Sequence, residues 1–370
     1  MTKAAELAKM GEVITNGQIG GRRNIVINGA MNVAQRSASV TGIGAANGYF
    51  TVDRFKLFQA GTAGRLTMSQ AAITDLGGFS NAMKFDVTTA DDSIAAGELF
   101  QIGTMFEGQD IQGFKKGHSD AEGFTVSFYV KGTAKTYSVE LFDGDNTRHV
   151  TQTFSVTTSW NRVVLNFPAD TTGKFDSDNA LSLYILIWVH AGSTYTGGTA
   201  ATSWAGNDNA NRAVGCGSLF SSTDNELFIT GIQMEVGSVA TPFENRSVGE
   251  EEELCKRYFV KHKAFSPYDR FAVGQCTTTD DVACLFKFYP PLRTNPSLTT
   301  GTLSHLVVTN RTGGAAAIDS ALVIDTNTDG FLSTIVTCPD INSNPLTAGE
   351  VSYLSANNNV AAFVAFDAEL

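Results

Sequence analysis

The stretch GIQMEVGSVATPFENRSVGEEEELCKRYF, residues 231–259, begins as a strand and turns abruptly into four glutamates followed by Cys-Lys-Arg-Tyr-Phe. Ser247-Val248-Gly249-Glu250 matches a capping box, with Ser247 at the N-cap and Glu250 at N3. Glutamates 250–253 fill the first turn, and Lys256 and Arg257 the last, which suits the helix dipole. Glu252 to Lys256 and Glu253 to Arg257 are i,i+4 pairs in the favourable order. Leu254 and Tyr258 share one stripe, and Cys255 and Phe259 the adjacent one. The acidic run therefore reads as a short helix over 248–259 that joins two parts of the chain, rather than as a cation or ligand site.

On either side of this joint the pattern is that of strands. FTVSFYVKG (124–132) alternates strictly, with Phe124, Val126, Phe128 and Val130 on one face and Thr125, Ser127, Tyr129 and Lys131 on the other. RNIVINGAMNVAQRS (23–37) reads as a strand punctuated by Asn28-Gly29, and YSVELFDGDN (137–146) as a strand ending in a turn. RHVTQTFSVTTSWNRVVLNF (148–167) and ELFITGIQMEV (226–236) extend the set. LSLYILIWVH (181–190) turns Leu181, Leu183, Ile185, Ile187 and Val189 inward. Its other face (Tyr184, Leu186, Trp188, His190) is also largely apolar, so a cover on both sides is expected. After the joint, DRFAVGQ, DVACLFKFYP, SHLVVTN, SALVID, GFLSTIV and VAAFVAFDAEL form a second β pattern. The expected fold is all-β: an antiparallel jelly-roll-like β-sandwich over 24–247, the linking helix over 248–259, and a smaller C-terminal β-sandwich over 260–370.

Composition agrees with this class. The chain has 370 residues, enough for two or three domains, with 25 Phe and only 8 Pro. A net charge of −11 disfavours nucleic acid as a partner. The basic pairs Arg22-Arg23 and Lys115-Lys116 read as solvated turn residues. Five cysteines, odd in number and without CxxC spacing, give neither a disulfide framework nor a zinc site and suit a reducing compartment. The N-terminus lacks a signal-peptide core, and LYILIWV (183–189) is too short to span a bilayer, so no membrane insertion is expected. Residues 1–23 stand apart. KAAELAKM forms about two helical turns, marginal alone in water, and the following glycines would let it leave the sandwich. Lys3, Leu7 and Met10 are thus the expected contacts to a partner chain.

Constellations of chemistry are sparse. There is no GxSxG, HExxH or Walker loop, and no two histidines lie at metal-ligand spacing, so no catalytic residue, metal or cofactor is expected. DTNTDG (325–330) begins like a calcium loop, but its twelfth position is Val336 instead of the bidentate Glu, so it reads as a tight turn. DGDN (143–146) likewise reads as a hairpin turn. The long polar loop 193–215 carries the residue types that bind sugars by ring stacking and hydrogen bonding: Tyr195, Trp204, Asn207, Asp208 and Arg212. Its competing reading is a surface loop with one aromatic tucked into the core.

Two of these segments resemble a known family. RNIVINGAMNVAQRS followed by GYFTVDRF (48–55) resembles the opening of a β-sandwich module of bacteriophage tail-fibre and other virion appendage proteins. ITGIQMEVGSVATPFENRSVGEEEELCKRYF (229–259) resembles that module's ending, and the terminal DAEL is similar to endings seen there. The middle, 60–225, matches only as a strand pattern. The resemblance implies a jelly-roll-like sandwich similar in outline to carbohydrate-binding modules, often a homotrimer, and no enzyme activity. It implies a virion protein that meets other virion proteins through residues 1–23 and binds a host receptor or surface glycan. The chain shows neither a large N-terminal attachment domain nor a long fibrous shaft, which favours a short appendage, with a capsid decoration or head-fibre protein as the alternative. A polysaccharide-depolymerising tailspike would favour a long β-helix, and no internal repeat is present.

Overall fold

The alternating segments do pair into antiparallel sheets. The computed structural model describes residues 3–4, 23–310, 314–325, 331–339, 341 and 346–370, and the chain divides into two units, 1–251 with 370, and 252–369. The fold is all-β. In the first unit, one sheet has the order β1 (Ser39–Ile43), β4 (Arg65–Ala72), β5 (Asn81–Thr89), β13 (Glu226–Val236), β7 (Phe124–Gly132) and β10 (Asn161–Phe167). The other has the order β12 (Ala205–Gly206), β9 (Arg148–Val156), β8 (Lys135–Asp143), β11 (Leu181–Ala191), β6 (Leu99–Glu107), β3 (Lys56–Ala60) and β2 (Gly48–Tyr49). Phe124, Val126, Phe128 and Val130 meet Leu183, Ile185, Ile187 and Val189 in one core, as period-2 alternation requires when two sheets face each other.

Three local readings change. RNIVINGAMNVAQRS is no strand. Asn28 (φ 61°) and Met31 (φ 58°) are left-handed, which takes the backbone out of the extended region. The Asn28 amide replaces ladder bonds: Nδ2 donates to the carbonyls of Val33 (2.8 Å) and Asp53 (3.0 Å), and Oδ1 accepts the Val33 N–H (2.9 Å). Gly29 is required beside it, because a Cβ there would stand 2.1 Å from the Ile232 carbonyl oxygen. The run 148–167 is two strands, β9 and β10, which belong to different sheets. The linking helix runs over Val248–Lys256, and Phe259 already begins a strand. Its cap forms as read: the Glu250 N–H donates to Ser247 Oγ (3.2 Å) and Glu252 pairs with Lys256 (2.9 Å). Glu251 is buried rather than solvated, paired with Arg246 (3.2 Å) and accepting the Asn28 N–H.

In the second unit, a sheet of β14 (Phe259–Lys263), β23 (Phe363–Asp367) and β17 (Ser297–Thr300) accompanies a seven-stranded one. The latter has the order β19 (Ala315–Ala317), β18 (Leu306–Asn310), β22 (Val351–Ala356), β15 (Arg270–Cys276), β16 (Val282–Lys287), β21 (Ser333–Cys338) and β20 (Val323–Ile324). Phe286, Phe288, Leu354, Val364 and Phe366 lie in its core. All five cysteines are free thiols, and four are buried. Among the described residues no helix is long and apolar enough to cross a membrane. Leu7 and Met10 lie outside the described residues, as does 326–330 of the DTNTDG segment; Lys3 is helical and exposed.

Lys116 is the clearest departure from its expected solvated turn. It is buried and donates to Asp143 Oδ2 (2.5 Å), and it pairs with Asp170 (3.0 Å). The carbonyls of Thr172 (3.0 Å) and Gly173 (2.8 Å) accept its remaining N–H groups, so the ammonium is fully satisfied. Asp143 belongs to the DGDN turn, which does close the β8–β9 hairpin. Lys116→Ala would leave two buried carboxylates sharing only Arg148 and amide donors. It is expected to cost about 3–5 kcal/mol, read as a lower urea midpoint for the first unit.

Candidate functional site

The outer face of the β9–β8–β11–β6–β3 sheet is apolar where a solvated sheet would be polar. Leu186, Trp188, Ala191 and Ala213 form a second buried cluster there, with Tyr195 and Cys216 packed against it. The expected second cover of β11 is thus supplied by the chain's own segment 193–216, rather than by another domain or subunit. The Tyr195 ring lies 5.2 Å from that of Trp188.

One buried carboxylate fastens this cover. Glu140 on β8 is fully buried, and each of its oxygens meets two partners. Oε1 faces His149 Nδ1 (3.0 Å) and accepts from Arg212 Nε (2.8 Å); Oε2 accepts from Trp188 Nε1 (2.9 Å) and Arg212 Nη2 (3.0 Å). Burial alone would raise the Glu140 carboxyl, but His149, Arg212 and Trp188 outweigh it and hold it below the usual carboxylate value. The Arg212 guanidinium also lies 5.1 Å from the Trp188 ring and 5.0 Å from Phe142.

At the edge of the cover an aromatic row packs against the same cluster and stays partly exposed. Phe58 on β3, Tyr184 on β11 and Phe142 on β8 are half-buried on this same face. The rings of Phe58 and Tyr184 are 6.3 Å apart, and those of Tyr184 and Phe142 5.8 Å, both edge to face. Gly103 on β6 lets Phe58 lean toward Tyr184, since a Cβ there would stand 2.7 Å from the Phe58 ring. Lys56 Nζ lies 5.2 Å from the Phe58 ring centroid. Burial pushes the Tyr184 phenol up, against the pull of Arg212, so its hydroxyl stays a donor at neutral pH. Ring edges and faces on three rigid strands, flanked by a cation, can stack on the C–H face of a sugar.

The residues expected from the sequence are only partly gathered here. Arg212 reaches the aromatic row, and Tyr195 lies in the adjoining cluster. Asn207 and Asp208 are exposed, and Asp208 caps its own turn by accepting the Ala210 N–H (3.1 Å) and the Asn211 amide (3.1 Å). Trp204 is not a sugar platform. It is buried in the main core 5.6 Å from Phe124, with Nε1–H bonded to the Pro168 carbonyl (2.9 Å) and Lys116 against its face (5.0 Å). Phe58 and Phe142 went unread. Their signal is the pairs Leu57-Phe58 and Leu141-Phe142, where consecutive apolar residues in a strand place one on each face.

No family model matches the chain, and no curated protein matches it. Solved structures do, faintly. A family 4 carbohydrate-binding module has a TM-score of 0.30 at 10% identity, covering 56% of this chain and 97% of that one. The enzymatically active domain of tailspike protein 4 of bacteriophage CBA120 has a TM-score of 0.31 at 10% identity, covering 58% of this chain and 21% of that one. A family 61 carbohydrate-binding module solved with β-1,4-galactotriose has a TM-score of 0.28 at 10% identity, covering 58% and 99%. At these scores the likeness carries no argument about ligand or role, which rests on the residues themselves.

Glu140 gives a pH dependence with a definite sign. Its folded value lies below that of an ordinary glutamate, so its contribution is present above the ordinary value and lost as pH falls through the folded one. Arg212→Met removes the charge that opposes burial. The variant is expected to lose about 3–5 kcal/mol at neutral pH and to begin acid unfolding at a higher pH than the parent, as followed by tryptophan fluorescence.

Proposed function

We propose that the chain is a non-enzymatic structural protein of a bacteriophage virion, a tail fibre or short appendage, that binds a host surface glycan. The observation that carries the glycan reading is the row Phe58, Tyr184 and Phe142, held on strands and left open beside a cover that Arg212 fastens. The phage setting rests on the segments 23–37, 48–55 and 229–259 quoted above. Glu140 and His149 resemble an acid and base pair but are sealed from solvent, so a polymer cannot reach them.

Assembly as a homotrimer is part of the same reading. On one face of the seven-stranded sheet of the second unit, Val351, Val273, Leu285 and Val323 are 45%, 59%, 48% and 55% exposed. Register places Val273 beside Leu285, Leu285 opposite Ile335, and Val351 opposite Gln275, so they form a stripe across neighbouring strands. Such a stripe suits a surface covered by further copies of the chain.

Binding to a panel of bacterial surface polysaccharides tests the first claim. Tyr184→Ala and Phe142→Ala are each expected to weaken binding roughly tenfold with an unchanged melting temperature of the second unit. Full retention of binding in both would overturn the site. Sedimentation tests the second claim: the intact chain is expected at three times its monomer mass at micromolar concentration, and Leu285→Glu with Val273→Glu should shift it toward monomer.

A further inference from the structure

We propose that Asp91, Glu98 and His190 form a binding site for one divalent transition-metal ion of the zinc class. The three residues come from different places: Asp91 follows β5, Glu98 precedes β6, and His190 lies near the end of β11. All are buried, His190 completely. One potential ligand atom from each lies within 4.8 Å of the others, so small side-chain shifts bring all three to about 2.0–2.2 Å from a common ion.

Two atoms point to the ligand. Glu98 Oε2 and His190 Nε2 are buried without a hydrogen-bond partner and face each other at 3.4 Å. The other ring nitrogen, Nδ1, is engaged by Ser218 Oγ at 2.8 Å. In the tautomer that donates Nδ1–H to Ser218, Nε2 turns a lone pair toward a carboxylate oxygen. Two acceptors then meet with no donor between them, an arrangement that a cation resolves. Asp91 is held ready by the Thr62 hydroxyl and the Ala63 N–H, both 2.8 Å from Oδ2, and its own N–H is bonded to the Phe220 carbonyl (2.8 Å). Among the described residues no lysine or arginine pairs with either carboxylate, unlike Asp143, Asp170 and Glu140 of the same unit. Two buried carboxylates without a fixed countercharge are costly. An imidazole with two carboxylates suits zinc and its neighbours, whereas calcium takes six to eight oxygens. The hydroxyl on Nδ1 is the kind of outer partner that orients a metal-bound histidine. The bound ion would tie the β5–β6 connection to the end of β11 and Ser218, a structural role.

The intact chain, stripped with a chelator and dialysed, is titrated with zinc chloride and separately with calcium chloride, and its metal content is read by plasma mass spectrometry. One equivalent of zinc and none of calcium is expected, with a rise in Tm of about 5–10 °C at a hundredfold excess over Kd. His190→Gln and Glu98→Gln should each weaken zinc binding at least roughly tenfold while circular dichroism stays that of the parent. Failure of the parent chain to retain zinc, an equivalent uptake of calcium, or undiminished zinc binding by folded His190→Gln overturns the proposal. Should a variant not fold, the parent's stoichiometry and Tm shift settle the matter alone.

Discussion

Glu140 fixes where the first unit's outer sheet face stops being core and starts being surface. A buried carboxylate is tolerable only when every lone pair is occupied, and here the partners come from β9, β11 and the 193–216 segment together. Arg212 is the one of these that lies on a loop rather than on a strand of the sheet. Its planar fork can satisfy both oxygens at once, which a lysine could not do. The segment is therefore fastened at one register, and Trp188 and Leu186 fall under it while Tyr184 and Phe142 lie half-buried at its edge. The main core would exist without this device; the boundary of the open aromatic row would not.

How much of this was legible follows from which signals are local. Strands such as 124–132 and 181–190 announce themselves because alternation is a property of neighbours, and the apolar second face of β11 correctly required a cover. The capping box at Ser247 is local too. What was missed depends on pairings across long separations. Residues 23–37 have the residue types of a strand, but Asn28 bonds to Val33 and Asp53 in place of a ladder. Lys116 looks like half of a solvated basic pair, because nothing near it reveals Asp143 and Asp170. Trp204 was singled out as a sugar-stacking ring, but of the two readings of its loop the one with an aromatic tucked into the core is the one found. The candidate site lay in the same blind spot. Arg212 was singled out for hydrogen-bonding chemistry and does reach the site, whereas Phe58 and Phe142 required knowing which strands flank β11.

Both units bury their apolar strands, but they deal with buried charge differently. In the first, Lys116, Arg148, Arg212 and Arg246 each meet carboxylates inside the fold. In the second, the core is built from Phe, Val, Leu and free thiols. In the first unit these charges tie the irregular segments 23–37 and 193–216 to the rest of the fold, Arg246 donating to the Val26 carbonyl and Arg212 to Glu140.

The open aromatic row has its floor and its margin made by different kinds of chain. Phe58, Tyr184 and Phe142 stand on strands whose register is locked by neighbours on both sides, while the margin is built from the loops on either side of the short edge strand β12. The exposed turns of the 193–216 segment, such as 206–209, can change in length or sequence while Trp204 stays in the core, Ala205–Gly206 stays paired with β9, and Arg212 or an equivalent cation still reaches Glu140. Selection can thus redraw the outline of the recognition surface without reopening the problem of folding, and grafting of margins between relatives is the natural route by which such a scaffold would diversify.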